Sequence, residues 1–200
     1  MAVEEVIVPF DEGKDHLATG FRSTLLTTSL QSLRARGLYD RYTALLPAAH
    51  REAILTSVAG VWLPMAVGLA HYTTCDSLGL PAAEQFAIGQ EVGDRVQGTL
   101  LGLVVRTAKT AGLTPWAGLS NSRRLYTRLL QGGSVRLVKL GPKEARIELV
   151  NNPLAATSHF RNGFRGVAVA GAELFCQKAY GSELPKMTTP TSFAMRIAWA

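Results

Sequence analysis

The hydrophobic period of this chain switches from helical to alternating at a glycine pair. Before Gly132-Gly133, apolar residues recur every three to four positions, the spacing of one helix face. In "FRSTLLTTSLQSLRARG", Phe21, Leu25, Leu26, Ser29 and Leu33 share such a face. In the segment from Pro81, Phe86, Ile88, Val92, Val96, Leu100, Leu103 and Val104 keep the period to about Ala111. After the pair the period is two. Val135 and Leu137 alternate with Arg136 and Lys139 in "SVRLVKL", and Ile147 and Leu149 alternate with Arg146 and Glu148 in "ARIELVN". The link "GPKE" between these runs suits a hairpin.

The remaining punctuation sets the other elements. "VEEVIV" reads as a short strand that Pro9 ends. Gly37 stops the helix that starts at Phe21, and "LYDRYTALLP" is a second short helix. Pro64 breaks the next helical stretch near Leu63. Pro81 followed by Glu84 marks a helix start. A helix over roughly 115–130 precedes the glycine pair, and another begins in "HFRNGFRG". A strand-like "ELPKMT" and a final "SFAMRIAWA" close the chain.

Segregated elements of this kind give an α+β fold: an N-terminal helical layer packed on a small antiparallel sheet made of the hairpin, a helix and C-terminal strands. One domain over 1–200 is expected, helical over about 17–131 and sheet-containing over about 132–200. In "SFAMRIAWA", Phe193, Met195, Ile197 and Trp199 share one parity. With Val135, Leu137, Ile147 and Leu149 they form the face expected to be buried.

Glycines inside the helix from Pro81 need a reason, because each costs about 1 kcal/mol relative to alanine. Gly98 and Gly102 are four apart on one face, with Gly93 near it. The reading is close packing against another element. A pocket, if present, is expected between this helix and the apolar face of the sheet.

Composition excludes several classes. Apolar residues make up 47% and charged residues 18% of 200, which is globular rather than disordered. The net charge is +6, but the positive residues are scattered, which argues against a nucleic-acid site. Cys75 and Cys176 fit neither a CxxC motif nor a disulfide framework, so both are read as free thiols. "MAVEEVIVPFDEGKDH" does not read as a signal peptide, and no apolar run is long enough for a membrane span. The expected location is cytoplasmic.

The order of motifs over residues 84–199 resembles a family of uncharacterised proteins of about this length known mainly from myxobacteria. The resemblance rests on "AIGQEVGDRVQGTLLG", "SRRLYTRLLQGGSVRLVKLGPKEARIELVNNP", "FRNGFRGVAVAGAE" and a last strand ending in Trp199. More distantly, the order is similar to the superfamily that joins haem-nitric-oxide-binding sensors, 4-vinyl-reductase-type domains and vesicle-tethering small subunits. That likeness implies a mixed helix–sheet fold, often with an interior pocket or a dimer face. In the haem sensors it also implies a proximal histidine on a helix and a Tyr-x-Ser-x-Arg motif for the propionates. No Tyr-x-Ser-x-Arg occurs here, and "NSRRLYTRLLQGG" has no histidine, although it contains Tyr126. His71 is the remaining ligand candidate. The tethering relatives imply another use for a cysteine, as the carrier of an acyl chain at an apolar pocket.

Other chemistry is sparse. His16, His50, His71 and His159 are far apart, with no HExxH motif. Cys75 lies four residues after His71, so on a continuous helix the two share a face and form a candidate thiolate pair. Arg124 and Arg128 face alike, and with Arg123, Arg136 and Lys139 they make a candidate reader of an acidic partner. The expected function is a non-enzymatic module, without a cofactor, that binds a partner protein or a small apolar or acyl ligand, with a homodimer expected and a role in signalling or regulation. The candidate residues are Gly98, Gly102, His71, Cys75, Arg124 and Arg128. A haem or other cofactor sensor, and an enzyme using Cys75, are the alternatives.

Overall fold

The computed structural model describes residues 4–11, 13, 16–100 and 114–200, with residues 96–100 as backbone only. The chain forms an α+β fold. The alternating runs become the centre of a five-stranded antiparallel sheet of order β1-β5-β6-β8-β7. These strands are β1 (Glu5–Val8), β5 (Ser134–Gly141), β6 (Glu144–Val150), β7 (Ala179–Glu183) and β8 (Phe193–Trp199). The β5–β6 turn is two residues, because Gly141 pairs with Glu144 across Pro142 and Lys143.

Register places the expected apolar face as one block. Leu137 pairs with Ile147, Ile147 with Met195, and Leu149 with Phe193. All eight residues assigned to that face are buried, with Trp199 the most exposed at 7%. The opposite face carries an ionic ladder in which Glu148 lies between Arg136 and Arg146, and Glu144 meets Arg196.

Eight α-helices are described: α1 (Ser23–Ala35), α2 (Tyr39–Leu45), α3 (Ala48–Leu55), α4 (Met65–Asp76), α5 (Ala82–Leu100), α6 (Pro115–Leu119), α7 (Ser122–Leu129) and α8 (Ser158–Glu173). Helix α8 lies on the apolar sheet face, with Phe164 against Phe193 at 5.8 Å between ring centroids. Helix α5 then packs on α8.

Several expectations are corrected. The helix begins at Ser23 rather than Phe21, because Gly20–Arg22 is strand β2. It joins β3 (Trp62–Pro64) and β4 (Leu130–Gln131) in a small second sheet of order β3-β2-β4. Pro64 does not kink a helix; a loop and a strand precede it, and α4 starts after it. The helix before the glycine pair is two helices. The last-but-one strand is Ala179–Glu183, and Pro185–Met187 is a 3₁₀ turn, since Pro185 has no N–H to give a ladder.

The glycine expectation falls partly outside the description. Gly102 lies outside the described residues, and Gly98 lies on α5 where only the backbone is described. The close contact is made one to two turns earlier. A methyl on Gly89 would meet the backbone of Gly163, with its Cα at 2.6 Å, and one on Gly93 would lie 2.9 Å from the Ala170 Cβ. Gly166 on α8 faces the Phe86 and Gln90 backbone in the same way. The crossing is stitched by the Asn162 amide, which donates to Gln85 Oε1 at 2.8 Å.

Helix α8 stands between α5 and most of the sheet, so the space expected between them opens only at the sheet edge, as a groove of about 490 Å³ lined by Ala82, Phe86 and Gln90 of α5, Arg165 and Val169 of α8 and Tyr180 of β7. Val169 of α8 reaches strand β7, 3.0 Å from the position of a Cβ on Gly181.

Edge strand β7 is guarded. Arg165 donates to the Gly181 carbonyl, and Glu173 accepts from the Ala179 N–H, so two groups on that strand are engaged by α8.

Candidate functional site

The most unusual chemistry lies inside the helical layer, where α4 meets α1, α2 and α8. Helix α4 opens on six apolar residues, Met65 to Ala70, and then buries His71, Tyr72 and Cys75 together. The i, i+4 spacing does place His71 and Cys75 on one face, with the sulfur 3.8 Å from Nε2. The imidazole is 0% exposed. Its Nδ1 lies 2.7 Å from the Tyr42 hydroxyl of α2, and its Nε2 lies 3.0 Å from the Ser29 hydroxyl of α1. A neutral imidazole has one donor and one acceptor nitrogen, and two hydroxyls satisfy both in either tautomer. Burial pushes the His71 pKa down to about 3, and His159 adds to this.

Aromatic contacts continue outward from this centre. Tyr72 sits edge-on to His71 at 4.9 Å and to Phe160 of α8 at 5.4 Å. Phe160 meets Phe164, which meets Phe193 of the sheet. One ring-to-ring chain therefore runs from α2 through α4 and α8 to β8.

The end of α4 anchors the start of α8. The Asp76 carboxylate accepts from the Ser158 N–H, the Ser158 hydroxyl and the His159 N–H. It thus satisfies donors that a helix N-terminus leaves open, and its charge suits the positive end of the helix. His159 is 2% exposed, and burial pushes its pKa down to about 4 against the opposing pull of Asp76.

This arrangement decides what His71 and Cys75 can do chemically. Burial, with Asp76 nearby, raises the Cys75 pKa well above the ordinary thiol value, so the group is a thiol rather than a thiolate. Both nitrogens of His71 are engaged. The pair is therefore a locked polar knot in an apolar layer, without an activated nucleophile or an open ligand position. Among the described residues no group of three His, Cys, Asp or Glu side chains is placed to hold a metal ion.

Removing one hydroxyl tests the knot. Tyr42→Phe leaves His71 Nδ1 unpaired in the core and is expected to cost about 1–3 kcal/mol. Urea unfolding measures it; an unchanged midpoint would show that the Tyr42 bond contributes nothing.

The basic candidates separate. Arg124 and Arg128 are exposed on α7, while Tyr126 on the same helix is buried. Arg136 is paired with Glu148 at 2.7 Å, Lys139 with Glu5 at 2.9 Å, and Arg123 donates to the Pro9 and Phe10 carbonyls. The expected five-residue patch therefore reduces to Arg124 and Arg128. A groove of about 370 Å³ opens beside α4, lined by Leu45, Ala66, Leu69, Ala70 and Thr73 with His50.

Sequence reasoning missed Tyr42, Ser29 and Asp76. Ser29 carried a signal: a serine on the apolar face of α1 needs a buried partner. Tyr42 and Asp76 carried none, since their partners come from other helices.

Solved structures share this architecture. An unliganded Fe(II) H-NOX mutant from K. algicida matches with a TM-score of 0.64 at 12% identity, covering 90% of this chain and 96% of that one. The corresponding H-NOX protein of K. algicida without that mutation matches at 0.64 and 10%, with the same coverage. An oxygen-binding H-NOX domain related to soluble guanylate cyclases matches at 0.56 and 12%, covering 88% and 94%. No family model matches the chain. No curated protein sequence matches it either.

Proposed function

We propose that this chain is a sensor-type signalling domain on the H-NOX architecture, acting by binding rather than by catalysis. The observation that carries the reading is coverage. The likeness runs through 90% of this chain, so it includes both the helical layer and the sheet. It favours a ligand-responsive domain over a module that only holds a partner protein.

Haem is the group that H-NOX domains are named for, and the residues here do not fit it. Haem iron is held by His, Cys, Met or Tyr. The chain has four histidines. His71 has both nitrogens engaged, His159 is enclosed beside Tyr72, and His16 and His50 lie toward the surface. Residues 101–113, "LGLVVRTAKTAGL", contain none of the four residue types. The propionate-gripping motif is absent as well.

The groove beside α4 suits a different guest, small and apolar. It is an open groove of about 370 Å³ in which Leu45, Pro47, Ala66, Leu69 and Ala70 supply the apolar lining and His50, Thr73, Thr74 and Ser77 the polar one. Ala66, Leu69 and Ala70 line it from the helix that also carries His71 and Cys75. A guest there bears directly on α4, and α4 bears on α8 and the sheet through the aromatic chain. That is a route from ligand to sheet surface, where a partner protein or a second copy would read the change.

The test combines two measurements. Purified protein is expected to be colourless and to take up haem no better than a nonspecific control. Native mass spectrometry with solvent extraction is expected to show a small apolar guest, lost in Leu69→Trp. A stoichiometric Soret band that His71→Ala abolishes would overturn the haem-free reading. An unliganded protein with an unaltered Leu69→Trp profile would overturn the groove.

A further inference from the structure

We propose that the turn at residues 58–61, with the neighbouring end of α7, docks this protein on an anionic lipid surface. Four observations converge there, and none involves the groove or the His71 knot.

The first is the absence of charge. Residues 53–64 contain no Asp, Glu, Lys or Arg, and most of this run lies on the surface. Val58 is 66% exposed and Val61 41%, and Ala59, Gly60 and Pro64 are exposed with them. Isolated exposed apolar residues are ordinary, but a contiguous uncharged ridge marks an interaction surface.

Rigidity is the second. Ser23 is fully buried beneath the turn and clamps both sides of it. Its N–H donates to the Val61 carbonyl at 2.9 Å. Its hydroxyl donates to the Val58 carbonyl at 2.7 Å and accepts from the Val61 N–H at 2.9 Å. Arg22 donates to the Gly60 carbonyl at 2.8 Å, and its guanidinium lies 4.2 Å from the Trp62 ring centre. Gly60 has a φ of +89°, which turns the chain sharply at the tip. The valines are therefore held outward and do not fold back on the core.

Charge is the third. Arg22 also donates to the Arg128 carbonyl, which places the end of α7 beside the turn. Arg124 and Arg128 are exposed there with Leu125. Among the described residues no carboxylate pairs with Arg22, Arg124 or Arg128. The surface is apolar at its tip and cationic at its flank.

Shape is the fourth, and it separates a bilayer from an acidic protein. The apolar side chains stand on a tight turn whose four residues, Val58 to Val61, are all exposed. Such a turn needs a complementary hollow in a protein partner. A lipid surface accepts it directly, with the valines among the acyl chains and the arginines among the headgroups.

Vesicle co-sedimentation of the full chain tests this. Binding is expected to phosphatidylcholine vesicles containing phosphatidylserine, to fall with added salt, and to be weak on phosphatidylcholine alone. Each cation near such a surface is worth roughly five-fold in affinity, so Arg124→Glu with Arg128→Glu is expected to lose roughly twenty-fold or more. Val58→Asp with Val61→Asp is expected to lose binding at an unchanged melting temperature. Failure to sediment with phosphatidylserine vesicles, salt-independent binding, or wild-type binding by either folded double variant would overturn the proposal. So would capture by soluble polyglutamate without vesicle binding, which would assign the surface to an acidic protein. Salt dependence of the unmutated protein keeps the test decisive if a variant misfolds.

Discussion

Gly89→Ala, the smallest change available at that position, is expected to destabilise the fold by about 3 kcal/mol or more. The added methyl has no free volume. It would press on the Gly163 carbonyl and lie 2.6 Å from the Gly163 Cα, and backbone in a helix cannot swing aside as a side chain does. Helices α5 and α8 must then separate, which loosens Gly93 against Val167 and Ala170 and strains the Asn162–Gln85 bond. Gly166→Ala is expected to behave alike, since its methyl meets the Phe86 carbonyl and the Gln90 nitrogen at 2.6 Å. Gly163 supplies the control. A methyl there has nothing within 4 Å, so Gly163→Ala is expected to be neutral or to stabilise by about 0.5–1 kcal/mol through helix propensity. Urea midpoints of the three variants decide the matter. Equal effects would mean that the helices do not cross at these glycines. Typical domains are stable by only about 5–15 kcal/mol, so combining Gly89→Ala with Gly166→Ala is expected to leave little folded protein.

These glycines also show where the sequence is legible. A glycine row on a helix announces a close neighbour, and that inference points to the right element. It does not say which glycines touch. Gly98 and Gly102 carry the same local signal as Gly89 and Gly93, and only the path of α8 distinguishes the latter pair. The layer order is hidden for a related reason. The sheet and α5 each show an apolar face, so pairing them directly looks sufficient. Helix α8 has apolar residues that meet both, and its position between them follows from three-dimensional connection rather than from any local pattern.

Strands show the same division. Alternation identified β5, β6 and β8 with their buried parity, because one face rests on α8 and the other on water. Strand β7, "AYGSE", has no such alternation. Tyr180 points outward at the sheet edge, and Gly181 makes room for Val169. Strands β2 and β3 are three residues each, too short for any period to appear. At the site, the spacing of His71 and Cys75 was legible, and so was Ser29 as an oddity. Their inert chemistry was not. It depends on Tyr42 arriving from α2 and on complete burial, neither of which a local pattern records.

Acid is expected to weaken this fold well above the pH at which carboxylates titrate. Burial holds the His71 pKa at about 3 and the His159 pKa at about 4, against an ordinary value of 6.5. Both groups are neutral in the folded chain, and in the unfolded chain both take up a proton below 6.5. The unfolded state thus binds more protons, and stability must fall as pH falls. The loss is absent above the unfolded pKa and grows through the window from about 6.5 toward the folded values of about 4 and 3. At pH 5 each histidine is expected to cost about 2 kcal/mol relative to pH 7.5, or about 4 kcal/mol together. Glu4 and Glu144 have pKa values lowered by Arg146 and Arg196, so their contribution is lost only below about 4.5 and does not enter this window. Unfolding free energy measured from pH 7.5 to 5 is expected to show an uptake on unfolding that approaches two protons. A His159→Gln variant, which cannot titrate there, is expected to halve the slope. A flat profile over this range would mean that the two imidazoles are not buried as neutral groups, and the His71 knot would then be open to water and to ligands.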